Sequence, residues 1–239
     1  MEGKTVMEEY INIWFGDHAS HDDWGLLLES MDISFPKPRE SRIQVPGMDG
    51  TLDLSEALCP MTYDDRQLSF TFSLAGRHED LHSRASSIAN LIHGKRVKII
   101  VGTDPGYYYE GRMKVDASME DDVVESIVIS GDVSPYKYEV NDGAEEWEWD
   151  PFDFENGVIR EYKDLQVSGS RKVVIIGRRK PEAPEITCST DMTLQYGAVT
   201  IQLPAGKTKV HELMLGEGEH ELTLTGNGTV TISYRGRSL

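Results

Sequence analysis

The sequence is poor in cysteine, in long apolar runs and in basic residues, and each shortage excludes a class of protein. Two cysteines among 239 residues, Cys59 and Cys188, are too few for a disulfide framework or a cysteine zinc site, so we expect two reduced, buried thiols. No apolar run approaches the ~20 residues that a membrane-spanning helix needs. The opening residues, MEGKTVMEEY, lack the apolar core of a signal peptide, which predicts a soluble protein made in the cytoplasm.

Basic residues are outnumbered by acidic ones, 24 to 41, and the formal net charge is −17. A surface this acidic repels a phosphate backbone, so general nucleic-acid binding is not expected. The charge suits a protein that must stay unaggregated until it meets a partner.

Motifs for catalysis, cofactor binding and metal binding fail their spacing tests. Gly206-Lys207-Thr208 ends like a phosphate-binding loop, but Ile201 stands where that loop needs its first glycine. His78 and His82 are spaced like zinc ligands on one helix face, yet no third ligand is identifiable near them. Surface or capping histidines are favoured over a metal site. We therefore expect a protein that is not an enzyme, with no catalytic residues, no cofactor and no metal.

Short alternating runs predict a chain that is mostly β. In LSFTFSL, Leu68, Phe70, Phe72 and Leu74 fall on one face and hydroxyl-bearing residues on the other, as in an antiparallel strand that covers a core. Four further runs have strand composition: YINIWF at 10–15, RIQV at 42–45, RVKIIV at 96–101 and SIVIS at 126–130.

One segment has helical periodicity instead. Leu81, Ala85, Ile88 and Ile92 recur at the spacing of a single helix face. Acidic residues stand in the first turn and a glycine follows the last one, as helix ends favour. The sequence predicts one helix over residues 79–92.

The composition changes near residue 140. Residues 141–155, NDGAEEWEWDPFDFE, carry seven acidic residues and no basic one, which favours a linker or an exposed loop. We predict a first domain over residues 1–140 and a second over 141–239. The second domain has the short, turn-separated strands of a small β-sandwich, and Gly226-Asn227-Gly228 predicts a tight hairpin turn near its end.

The tyrosine-rich run GYYYEG at 106–111 supports two interpretations that the sequence leaves open. In a strand, Tyr107 and Tyr109 face one way and Tyr108 the other. The run is either a partner-binding or carbohydrate-stacking patch, or an ordinary hairpin with one tyrosine buried.

A specific motif stands at 45–55, Val-Pro-Gly-x-Asp-Gly-x-Leu-Asp-Leu-Ser, in which Pro46-Gly47 and Asp49-Gly50 predict two tight turns. Its motif positions are Val45, Pro46, Gly47, Asp49, Gly50, Leu52 and Leu54. It is followed in order by LSFTFSL, the helix, DPGYYYEGRMKV (104–115), GDVSPYKY (131–138) and the closing segment 216–235. This motif and the order of the elements after it resemble the siphophage distal tail protein family over nearly the whole chain.

The resemblance implies both a fold and a role. The fold is mostly β, with an N-terminal tail-tube-like β-barrel or sandwich that carries one α-helix and a C-terminal galectin-like β-sandwich. The role is that of a structural hub at the distal end of a non-contractile phage or prophage tail, where the first domain closes a homohexameric ring.

The expected partners also follow from the resemblance. They are other copies of the chain, the tail tube protein, the tape-measure protein, a tail-tip or tail-associated lysin protein and a receptor-binding protein. The expected location is the tail tip of the virion, assembled in the host bacterial cytoplasm. Phage DNA would pass through the ring without specific binding, and an acidic lumen would serve that passage.

Two sets of contact residues are predicted. The helix and the tyrosine hairpin are candidate ring or partner contacts through Leu81, Tyr107, Tyr108, Tyr109 and Arg112. The alternative function is a carbohydrate-binding adsorption module acting through the second domain, and Trp147 and Tyr196 are the local aromatic candidates for a glycan contact.

Overall fold

The computed structural model describes residues 10–74, 81–120, 123–144 and 161–239. These residues form strands and, within the described ranges, a single helix, so the prediction of a mostly β chain with one helix is confirmed. The chain divides into two compact units, Met1–Thr103 with Tyr109–Tyr136 and Asp104–Tyr108 with Lys137–Leu239. Residues 104–108 and 137–140, which the sequence assigned to the first domain, group with the second unit.

The elements of the first unit are β1 (Ile13–Phe15), β2 (His18–Ala19), β3 (Leu26–Ile33), β4 (Arg42–Ile43), β5 (Leu52–Asp53), β6 (Arg66–Leu74), α1 (Leu81–Ile92), β7 (Arg96–Val101), β8 (Tyr107–Glu120, the first two residues grouping with the second unit) and β9 (Val123–Val133). The unit is built on one sheet with the strand order β2-β1-β7-β8-β9-β6-β3 and has a separate two-stranded ribbon, β4-β5.

Strand β6 lies between β9 and β3 and places its alternate side chains in the core of the first unit. Leu68, Phe70 and Phe72 are fully buried, as the alternation in the sequence predicts. Phe15 packs edge-on against Phe70 with ring centroids 5.7 Å apart. Burial of side chains this large is worth about 2–3 kcal/mol each.

Helix α1 packs its apolar face on the same core through Ala85, Ile88 and Ile92. The helix ends before Gly94, whose φ of 72° is a left-handed conformation that glycine adopts without strain. The Gly94 amide then donates to the Met113 carbonyl at 2.8 Å, which ties the helix end to β8. The predicted residues 79 and 80 lie outside the described residues.

The elements of the second unit are β10 (Lys137–Glu139), β11 (Leu165–Gly177), β12 (Glu185–Cys188), β13 (Met192–Tyr196), β14 (Val199–Leu203), β15 (Gly206–Lys209), β16 (Gly218–Ser233) and β17 (Arg237–Ser238). Its sheet has the strand order β14-β13-β16-β12-β15, with β11 paired along β16. The two short strands β10 and β17 pair with each other, and β10 also pairs with the Tyr107–Tyr108 start of β8.

The predicted hairpin turn at Gly226-Asn227-Gly228 is wrong. Strand β16 runs unbroken through this tripeptide and pairs residue by residue with β11. Gly226 and Gly228 have φ values of 153° and 147°, an extended conformation open to glycine. A Cβ atom on Gly228 would overlap Ser189 Oγ and lie 2.8 Å from Thr190 Oγ1. The glycines therefore allow the 189–192 turn to pack closely on β16. Glycine is favoured both in tight turns and where two backbones approach closely, so the sequence alone does not distinguish these two cases.

Within the described ranges, the structure contains no helix long and apolar enough to cross a membrane.

Candidate functional site

The segment 34–65, which joins β3 to β6, is the candidate site, and we call it the arm. Its root is closed by backbone hydrogen bonds, with the Arg39 amide donating to the Thr62 carbonyl and the Asp64 amide donating to the Lys37 carbonyl, both at 2.9 Å. Beyond the root, β4 pairs with β5 as a short antiparallel ribbon. The arm contains the whole sequence motif at 45–55.

The chain reverses at the tip of the arm through two glycines. Gly47 and Gly50 have φ values of 81° and 79°, as the two predicted tight turns require. The Met48 amide donates to the Val45 carbonyl at 3.1 Å and closes the first of these turns. Strand β4 ends at Ile43, so the predicted strand at 42–45 is shorter than expected.

Asp53 stabilises the second strand of the arm, where the chain runs back from the tip toward the root. Its carboxylate accepts hydrogen bonds from the Ser55 hydroxyl at 2.6 Å and from the Ser55 amide at 2.9 Å, and these bonds hold the pKa of Asp53 below its usual value. The Ser55 hydroxyl accepts in turn from the Ser41 amide at 2.8 Å. The ribbon is thus tied by polar contacts at its base rather than by a core.

The apolar side chains of the arm face solvent. Leu58 is fully exposed at 101% and Phe35 is 79% exposed. The other exposed apolar side chains of the arm are Ile43, Val45, Met48, Leu52 and Leu54, at 36–48%. Apolar groups concentrated on one projecting segment are typical of a surface that a partner covers. Four of the seven motif residues, Val45, Leu52 and Leu54 with the exposed Asp49, therefore lie on a surface suited to protein contact.

The tyrosine run offers less surface than the sequence suggested. Tyr108 and Tyr109 are both buried, at 7% and 6%, although alternation would place them on opposite faces. Tyr108 stacks on Tyr138 with ring centroids 5.2 Å apart inside the second unit. Tyr107 is half-buried, with Lys137 Nζ 4.2 Å from its ring centre. A partner contact here stays a prediction. The two buried tyrosine rings expose little surface area that a partner could cover.

The remaining predicted contact residues are Arg112, Leu81, Trp147 and Tyr196. Arg112 is exposed and donates to the Gly94 carbonyl. Leu81 is the first residue of α1, and its side chain lies outside the described part of the structure, as does all of Trp147. Tyr196 is half-buried, and its hydroxyl lies 2.8 Å from His220 Nδ1. The interface and glycan roles of these residues stay predictions.

A cleft in the second unit has tyrosine and charged walls. Its volume is about 280 Å³, and Tyr108, Tyr138 and three arginine or lysine side chains line it. Arg237 Cζ lies 5.0 Å from the centre of the Tyr138 ring, and Arg237 Nη2 forms an ion pair with Glu182 Oε2 at 3.0 Å. Arg235 lies 5.7 Å from the centre of the Tyr108 ring. The rings that a sugar would stack on are thus already in contact with guanidinium groups.

Several exposed or buried groups were missed by the sequence reasoning. Cys188 is buried as predicted, but Cys59 is exposed on the arm, so the expectation of two buried thiols is wrong for Cys59. Arg66 is 2% exposed although it is a cation. A signal for it was present, because Arg66 has the same parity as Leu68 and Phe70 and so falls on the buried face of β6.

Among the described residues, no group of three or more histidine, cysteine, aspartate or glutamate side chains is placed to hold a metal ion.

Comparison with solved structures finds the same fold in a phage protein. The crystal structure of the SPP1 Dit protein (gp 19.1), described as a paradigm of the hub adsorption apparatus in phages that infect Gram-positive bacteria, matches 97% of this chain and 100% of its own. The TM-score is 0.57 and the sequence identity is 13%. No protein-family model matches the sequence, and no curated protein matches it. The resemblance predicted from the sequence is therefore confirmed at the level of the fold.

Proposed function

We propose that this chain is a structural hub of a non-contractile phage or prophage tail. It would form a homohexameric ring at the distal end of the tail, between the tail tube and the tip or baseplate. The observation that carries the proposal is the likeness to the Dit hub protein over the full length of both chains. A likeness confined to one domain would be weaker support, because single β domains serve many functions.

The exposed arm supports assembly as the working state of the protein. An isolated chain that leaves Leu58 at 101% and Phe35 at 79% exposure loses the hydrophobic stabilisation that burial of these groups would bring. A neighbouring copy that covers the arm would recover about 1.5–3 kcal/mol for each fully buried large apolar side chain. The tail tube, tape-measure and tip proteins are the proposed partners of the assembled ring.

The charge of the chain fits a passage for DNA. With a net charge of −17, a ring of this chain presents carboxylates on its surfaces, and carboxylates repel phosphate. We propose that the lumen is acidic and that DNA slides through without specific binding.

The oligomeric state tests the proposal. Size-exclusion chromatography with light scattering, run over a range of protein concentrations, is expected to give a species of six chain masses at the upper end. A single chain mass at every concentration would contradict the ring. The contrasting function, glycan binding by the second domain, predicts retention on immobilised bacterial glycans by the monomer itself.

A further inference from the structure

Arg66 is a buried cation that has no acidic partner in the described part of the chain. Its Nη1 donates a long hydrogen bond of 3.3 Å to the Tyr109 hydroxyl, and its Nε and Nη2 have no hydrogen-bond partner among the described residues. These two nitrogens form the edge of a guanidinium that binds both oxygens of a carboxylate. Burial lowers the pKa of Arg66, whereas the Tyr109 hydroxyl acts in the opposite direction.

The contacts that Arg66 does make are with aromatic rings. Its Cζ lies 5.2 Å from the centre of the Tyr109 ring and 5.6 Å from that of Phe35. Phe35 belongs to the root of the arm and is 79% exposed. A cation over an aromatic ring is stabilised, but by less than a desolvated charge loses when two of its donors stay unpaired.

Arg66 and Phe35 each lack a contact that a partner could provide. Arg66 needs an acceptor for two donors, and Phe35 needs apolar cover. A partner that brings a carboxylate next to an apolar side chain would satisfy both residues at once. This combination defines the chemistry of the partner.

The tip of the arm carries this combination. Asp49 is exposed and forms no ion pair or hydrogen bond among the described residues, and the adjacent Met48 is 45% exposed. The turns at Gly47 and Gly50 present both side chains at the end of a projecting ribbon.

We propose that Arg66 and Phe35 of one copy form a receptor for the arm tip of a neighbouring copy. In this contact Arg66 Nε and Nη2 bind the Asp49 carboxylate, and Met48 packs on Phe35, which moves aside to admit the tip. The proposal rests on the proposed function, because it names the contact between copies of the ring. Receptor and tip are different surfaces, so the contact is head-to-tail, and a head-to-tail contact closes a ring when its rotation divides a full turn.

Cysteine cross-linking tests the contact directly. In a Cys59→Ser background, one sample carries Lys37→Cys beside the receptor and a second carries Thr51→Cys beside the tip, and both positions are exposed. The proposed contact residues themselves stay unchanged. Under mild oxidation each sample alone is expected to stay uncross-linked, and a mixture of the two is expected to give a covalent dimer. The double variant in one chain is expected to give a ladder that ends at the closed ring.

Matched controls separate this contact from assembly in general. Glu56→Cys places the thiol elsewhere on the same exposed arm, and its mixture with Lys37→Cys is expected to give no dimer. Asp49→Asn is expected to weaken self-association about tenfold or more, as loss of one member of a buried charge pair does, whereas Glu56→Gln leaves it unchanged.

The outcomes distinguish the two proposals. If oligomers form by light scattering but the Lys37→Cys and Thr51→Cys chains do not cross-link, the Arg66 receptor is wrong and the ring stands. If the unmodified chain forms no oligomer at any concentration, both proposals are wrong. A cross-link within one chain in the double variant, without a dimer in the mixture, also overturns the contact between copies.

Discussion

Glu139 and Arg178 form an ion pair in the second unit, with 2.8 Å between a Glu139 carboxylate oxygen and Arg178 Nε. Only 8% of the Glu139 side chain is exposed, and its other oxygen accepts from the Gly236 amide at 3.0 Å. One carboxylate therefore joins β10 to Arg178 and to the residue before β17. Burial lowers the pKa of Arg178, but the hydrogen bond and charge of Glu139, together with smaller effects of Tyr107 and Tyr234, raise it overall.

Glu139→Gln is expected to destabilise the second unit. The amide keeps an acceptor for Gly236 but removes the charge that compensates Arg178. Loss of one member of a fully buried pair costs about 3–5 kcal/mol, and the 22% exposure of Arg178 reduces the expected loss to about 2 kcal/mol. Urea denaturation followed by circular dichroism measures it. The control is Glu221→Gln, which breaks the exposed pair with Lys172 and should change stability by less than about 1 kcal/mol. Equal losses in the two variants would contradict the role given to Glu139.

Gly228→Ala is expected to lower the free energy of unfolding by about 2 kcal/mol or more. The added Cβ meets the Ser189 and Thr190 hydroxyls, and alanine disfavours a φ of 147°. Gly216→Ala is the matched control, because Gly216 lies outside the left-handed region and its Cβ would make an ordinary 3.7 Å contact with Pro181 Cγ. The Gly216 variant should be neutral or slightly more stable. If both variants were equally stable, Gly228 would not have the packing role described here.

The elements that the sequence predicted well are those whose signal is local. The alternation in β6 and the spacing of Ala85, Ile88 and Ile92 in α1 each predict which face of the element packs on the core. Both predictions are confirmed. The run RVKIIV corresponds to β7 residue for residue.

The features that the sequence did not predict depend on partners distant in the chain. Gly226 and Gly228 were mistaken for a turn because the crossing turn at 189–192 cannot be located from residues 226–228 alone. The burial of Arg66 depends on Phe35 and Tyr109, which are 31 and 43 positions away. The exposure of Leu58 was also unforeseen, because an apolar residue in a loop gives no sign of whether its own chain covers it.

The two thiols should differ in reactivity. Cys59 is exposed, whereas burial raises the pKa of the Cys188 thiol and so lowers its thiolate fraction at any given pH. Ellman's reagent is expected to label one thiol per folded chain quickly and the second only after denaturation. Cys59→Ser should remove the fast phase. Two fast thiols in the wild-type chain would contradict the burial of Cys188.

Leu58→Ser is expected to weaken self-association without lowering the thermal midpoint of the isolated chain. Leu58 makes full contact with solvent, so its replacement removes nothing from the folded monomer but removes apolar area from an interface. Sedimentation velocity compares the association of the variant with wild type. Val174→Ser, at an apolar position 43% exposed in the second unit, is the control and should not alter assembly. A Leu58 variant that unfolds more readily as a monomer would show that the arm packs on its own chain.

The central claim is that this chain assembles as a ring. Negative-stain electron microscopy of the concentrated protein tests it most directly, because class averages report symmetry and a central channel without reference to any relative. The account predicts ring-shaped particles with six-fold symmetry and a central channel. Particles of single-chain size, with no ring in any class average at the highest protein concentration examined, would contradict the account.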